Sequence, residues 1–237
     1  MVEPFTLQRS PRARHARLTI RPDGELVVTL PARAPERWAS ELVDTRGAWI
    51  ERHRSRLLAD RERLATRPAL GAGRLVPFGG VGHRLSVVPL AAGRRRTRIV
   101  HDDAGEPSLV LERAADDLRS TAEILEAWLR GEAREAIARR IAIRAPALQV
   151  QPRALSIRDQ RSRWGSASRR GTLSFSWRLI LAPATILDYV VVHELAHLRV
   201  FGHGPRFWAL VHDVVPDADA ARRWLKANET ELRAALD

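Results

Sequence analysis

The sequence predicts an α+β chain, with short strands dominating the first half and helices the second. Three observations lead there. Period-two alternation recurs in short runs between Gly- and Pro-rich breaks over residues 15–111. Apolar residues then recur at helical spacing over long segments. No apolar run reaches the length of a membrane span, because Asp188, His193 and Glu194 interrupt the longest candidate.

In order, His15–Leu30 reads as two strands joined by a turn at Pro22-Asp23-Gly24. From Pro35 to about Leu64 the residues Trp38, Leu42, Trp49, Ile50, Leu57 and Leu64 mark a helix that Gly47 loosens or divides. Strands follow at Arg74–Phe78 and His83–Val88 around Gly79-Gly80, and at Thr97–Val100 and Ser108–Leu111 around Asp102–Pro107. His83 and His101 are expected to be solvated in these hairpins. A long helix covers about Asp117 to Ile143, with Leu118, Ile124, Leu125, Trp128, Leu129, Ile137 and Ile141 as its buried stripe. A boundary near Ala114 divides residues 1–114, a β-rich part with one long helix, from residues 115–237, a second, helix-rich domain.

Leu155–Arg158 and Gly171–Trp177 read as further strands, the second placing Leu173, Phe175 and Trp177 on one face. Thr185 and Asp188 have capping-box spacing for the next helix. Gly204-Pro205 opens a short helix, Pro216 ends it, and Asp217 caps the last one through Trp224 and Leu232.

The 237 residues carry a formal charge of +12, and Lys226 is the one lysine among 40 basic residues. Arginine is spread through every segment, which points to compositional bias more than to a nucleic-acid surface. Guanidinium groups in such number still favour anionic partners, with weak nucleic-acid contact among them. The chain has no cysteine, so metal ligands have to be imidazoles or carboxylates. The first residues lack the charged start and apolar block of a signal peptide, and a cytoplasmic location without membrane attachment is expected.

Chemistry concentrates in Tyr189–His203. On a helix His193 and His197 lie one turn apart on one face, so two imidazoles can share one Zn²⁺. Glu194, about 100° further round, can reach a water on that metal. Gly202 can turn the chain back and bring in His203. Three imidazoles with a fourth position open meet the needs of a hydrolytic zinc site with one ion per chain.

Arg163-Trp164-Gly165-Ser166, then Leu173-Ser-Phe-Ser-Trp-Arg-Leu179, then Tyr189-Val-Val-Val-His-Glu-Leu-Ala-His197, His203 and Phe207-Trp208 resemble the YgjP-like metal-dependent hydrolases. These are zincin-type proteins related to the SprT-like proteases. The N-terminal Arg-Leu-Thr-Ile-Arg-Pro-Asp-Gly run and Trp49-Ile50 extend the resemblance over nearly the whole chain. It implies a zincin-like catalytic domain, zinc ligands at His193, His197 and His203, and a general base at Glu194. Ala167 stands where the family usually has cysteine and Ser176 where it usually has asparagine. Val200 occupies the place of the metzincin glycine, so that relative is rejected.

Arg161 and Arg163 are candidates to clamp substrate or to stabilise a developing oxyanion, and Trp164 to anchor their turn or to contact substrate. Tyr189, one turn before His193, is expected to be buried beside the strand, the alternative being a hydroxyl turned toward the site. His212 is the one nearby imidazole that could close the zinc site, but its position past Trp208 reads as a surface or core histidine; Asp213 and Asp217 are candidate partners for the ligand imidazoles. The expected function is zinc-dependent hydrolysis, first of peptides laid along strand Gly171–Trp177 as an edge. The alternatives are a nucleoside triphosphate pyrophosphatase of UTP type on the same metal, and a nucleic-acid-associated module with a structural zinc.

Overall fold

The computed structural model describes residues 4–21, 23–71, 73–160 and 162–237, and they form two compact units that divide between Arg67 and Pro68. Helices and strands are mixed throughout, as the α+β class requires. No helix among the described residues is long and apolar enough to cross a membrane.

The first unit holds β1 (Thr6–Ser10), β2 (Arg17–Ile20), β3 (Leu26–Pro31), α1 (Arg37–Thr45) and α2 (Gly47–Ala65). β3 is central, parallel to β1 and antiparallel to β2. Gly24, at φ +91°, makes the reversal before β3; Pro22 of the expected turn lies outside the described residues. The helical stretch is divided at Arg46, next to Gly47. Leu26, Val28, Leu30, Val43 and Ile50 form this unit's core, while Trp38 of the expected stripe is exposed.

The second unit carries two sheets around one core. β4 (Leu75–Phe78), β5 (Val81–Pro89), β6 (Arg98–Asp102) and β7 (Ser108–Arg113) assemble in the order β4-β5-β7-β6. α3 (Thr121–Ala147) crosses to a second sheet, β8 (Ala154–Arg158), β9 (Gly165–Ala167) and β10 (Thr172–Ser176), in the order β8-β10-β9. A 3₁₀ turn at Trp177–Leu181 leads into α4 (Ala184–Ala196), followed by α5 (Pro205–Val214) and α6 (Ala218–Arg233).

A division at Ala114 has no counterpart in this arrangement. Val76, Leu85, Leu109 and Leu111 of the first sheet share one core with Leu125 and Leu129 of α3 and Val191 and Val192 of α4. The β4–β5 turn also docks on the segment leading into α4: Gly79 and Gly80 donate to the carbonyls of Ile180 and Leu181 at 2.8 and 3.0 Å. The four-stranded sheet therefore belongs with the catalytic elements.

Local chemistry differs from expectation at the starts of two helices. α3 starts at Thr121 under a capping box made by Ser120 and Glu123, which leaves Leu118 outside the helix and 96% exposed. Thr185 and Asp188 form no such box, because α4 begins after Pro183 without a side-chain cap. Asp188 instead takes both oxygens to Arg144 of α3, with bonds of 2.6 to 3.2 Å. That bidentate pair ties the two helices where α4 is buried on nearly every face.

Candidate metal centre

α4 presents His193 and His197 one turn apart, and its last residue, Ala196, leaves His197 as the C-cap. The chain then needs a sharp return. Gly202 supplies it at φ +96°, a conformation that costs a side chain dearly. His203 Nε2 consequently lies 3.1 Å from His193 Nε2 and 3.2 Å from His197 Nε2. Nitrogens holding one tetrahedral zinc at the usual bond length sit about 3.3 Å apart, so the three rings are gathered nearly as a metal would set them.

Protonation of the two imidazoles from α4 and its cap suits a ligand. Burial, followed by the neighbouring His197, His203 and Arg222, drives the His193 pKa down to about 3; burial also lowers that of His197. His197 Nδ1 donates to the Val200 carbonyl at 3.2 Å, which leaves the Nε2 lone pair free to coordinate. No carboxylate among the described residues bonds a ring nitrogen of the three, so Asp213 and Asp217 do not take that part. Phe207 of α5, fully buried, packs against all three imidazoles with centroids 4.4 to 4.9 Å away. This floor was not anticipated from the sequence. His212 lies apart, stacked on Trp208 with Nε2 3.5 Å from Asp219.

Glu194 is 6% exposed and faces a cavity of about 370 Å³ with His193, Tyr189, Arg163 and Trp164 in its wall. Burial lifts its carboxyl pKa to about 7, opposed by Arg163. Its oxygens form no hydrogen bond to protein among the described residues. Part of the wall comes from α6, with Arg222, Lys226 and Arg233, none of which carried a recognisable signal in the sequence. Arg233 stacks over Trp164 at 4.6 Å, so the indole both anchors its turn and borders the cavity. Tyr189 is buried, its ring edge-on to His193 at 5.9 Å. Arg161 lies outside the described residues.

β9 is the element that the sequence least suggested. A Cβ built on Gly165 would sit 2.7 to 2.9 Å from Glu194 side-chain atoms, so the strand backbone passes directly over the carboxylate. β10, expected to be an edge, is instead paired on both sides, with β8 parallel and β9 antiparallel. β8 and β9 are therefore the edges, and β9 is the one that runs beside Glu194. The two positions that depart from the family pattern lie in this sheet: Ala167 pairs with Leu173, and the buried Ser176 caps the following turn by accepting from Arg178 N–H.

Two imidazoles from a buried helix, a third from the return that follows it, and a buried carboxylate beside them make the arrangement of a metal-dependent hydrolase. The family model described as YgjP-like, metallopeptidase domain, matches residues 14–228, and the chain belongs to the YgjP-like family. No curated protein matches the chain. Among solved structures, the metallopeptidase zymogen of Pyrococcus abyssi abylysin is similar, with 23% identity over 41% of this chain and 95% of that one, and a TM-score of 0.31.

Proposed function

We propose that this protein is a zinc-dependent peptidase in which His193, His197 and His203 hold the ion and Glu194 acts as general base. The observation that carries the reading is the passage of an edge strand over a buried, unbonded carboxylate beside three gathered imidazoles. An extended peptide added to the free edge of β9 would use main-chain bonds that require no particular sequence.

Zinc bound there would supply Lewis acidity, both to a water and to the substrate carbonyl. Glu194 accepts the proton of the attacking water and returns it to the departing amine. Its pKa of about 7 matches both tasks near neutrality. Arg163, on the cavity wall, donates to the charge that develops on the carbonyl oxygen. Replacement Arg163→Ala should lower kcat/KM roughly tenfold, less than the loss of an enclosed oxyanion donor because this side chain is exposed. Zinc content and melting temperature should stay unchanged, and equal turnover would return Arg163 to a surface role.

Arginines 163, 222 and 233 on the cavity wall give the nucleotide reading its one specific support. A structural zinc lacks such support, since only three histidines meet among the described residues and a closed site needs a fourth ligand. Zinc-loaded protein incubated with a peptide library and, in parallel, with a nucleoside triphosphate panel separates the readings by mass spectrometry. Peptide cleavage that stops with a chelator and returns with zinc is expected. Pyrophosphate release with intact peptides would overturn the peptidase assignment.

A further inference from the structure

His83 and His101 are not solvated bystanders. His83 lies on β5, two residues before the core residue Leu85, and is 2% exposed. His101 on β6 is paired with Leu109, which itself pairs with Leu85 through β7, so both rings come to the same end of the sheet. Asp103, in the turn after β6, reaches back to them. His83 Nε2 is 2.8 Å from Asp103 Oδ1 and 3.1 Å from His101 Nε2, and His101 Nε2 is 3.0 Å from Asp103 Oδ2. These separations are as short as those from His203 to His193 and His197.

The hydrogen bonding of His83 restricts what can stand at the centre of this triangle. Its Nδ1 lies 3.0 Å from the carbonyl of Val81. A carbonyl only accepts, so Nδ1 carries the hydrogen and Nε2 of the neutral ring is a bare lone pair. That lone pair faces a carboxylate oxygen and a second imidazole nitrogen. A bare lone pair 2.8 Å from a carboxylate oxygen needs a positive centre between them, either a proton on His83 or a metal. The backbone bond that orients His83 is also the arrangement that imidazole ligands of metals typically show. Phe78 lies edge-on to both rings at 5.6 and 4.8 Å, and Trp128 of α3 closes the apolar side behind it.

We infer that His83, His101 and Asp103 form a second metal site, one that takes a divalent first-row transition cation of the zinc type. Two imidazoles select against calcium and magnesium, which prefer all-oxygen ligation. An ion there would clip the β6–β7 turn to β5, at the sheet that packs on α3. The site shares no residue with the centre on α4, so chain occupancy rises from one ion to two.

Equilibrium dialysis of the full chain against buffered zinc, followed by elemental analysis, reads the stoichiometry. Two ions are expected for the wild type, one for Asp103→Ala, one for His203→Ala and none for the double variant. Nitrogen-15 NMR of the wild type supplies a readout that needs no variant: zinc should shift Nε2 of His83 and His101 and leave their Nδ1 signals nearly in place. A wild type that stops at one zinc, all of it lost with His203→Ala, would overturn the site. So would His83 and His101 signals that ignore zinc, leaving a protonated His–Asp pair.

Discussion

Glu194→Gln should leave the protein folded and zinc-loaded while lowering kcat by about 10²–10⁴-fold, the usual contribution of one positioned acid–base group. Glutamine keeps the size and fits under Gly165, but it cannot accept a proton. The side chain lines the cavity and is not one of the clustered ligand groups, so removal of its charge should not release the ion. Zinc content, melting temperature and turnover measured on one preparation test this together. Lost zinc would make Glu194 a ligand. Unchanged turnover with zinc in place would sink the enzymatic reading.

The same carboxyl links activity and stability to pH, with opposite signs. As a base it works only when ionised, so kcat/KM should climb with pH up to about 7; a nearby cation moves that limb lower. In the metal-free protein the folded chain holds this proton more tightly than the unfolded chain does. The resulting stabilisation is complete below the ordinary glutamate range and is lost as pH rises through about 7. Metal-free Glu194→Gln should therefore melt above metal-free wild type at pH 8 and level with it near pH 4. The difference at the higher pH should be on the order of 3 kcal/mol at most.

Legibility in the sequence followed the range of the interactions. His193, His197 and Glu194 lie within one helical turn, so spacing alone placed them, and Gly202 disclosed the return that brings His203. Gly47, Gly79-Gly80 and the turn chemistry before β3 likewise mark local events, and the elements there fall close to expectation. Asp188 shows where this fails. Its spacing from Thr185 suits a cap, but Arg144, 44 residues away, makes the stronger bidentate offer. The same holds for the edge strand. Alternation of Leu173 and Phe175 identified β10, yet nothing in its own residues could tell that β8 and β9 would flank it. His83 and His101 each look unremarkable within their own strands. They meet only because β7 inserts between β5 and β6 and sets the register of both.

Gly165→Ala should lower kcat/KM by about 10²-fold or more without removing the zinc, although the added group is one methyl far from the metal ligands in sequence. The new Cβ would stand 2.7 Å from Glu194 Cγ and 2.8 Å from Oε1, closer than such atoms approach. Something has to give, and β9 is the stiffer party: Gly165 pairs with Phe175 of β10, whose side chain is fully buried. Glu194 would swing instead, into the 370 Å³ cavity that lies open beside it. Displacement of a general base by about 1 Å is enough for a loss of that order. The three imidazoles, held by α4, the Gly202 return and Phe207, should keep their ion. The decisive comparison is with the double variant Gly165→Ala/Glu194→Gln. If glycine serves only to seat the carboxylate, the double variant should be no slower than Glu194→Gln alone. Full additivity of the two losses would show instead that Gly165 contributes through the β9 edge, in substrate binding, and not through Glu194.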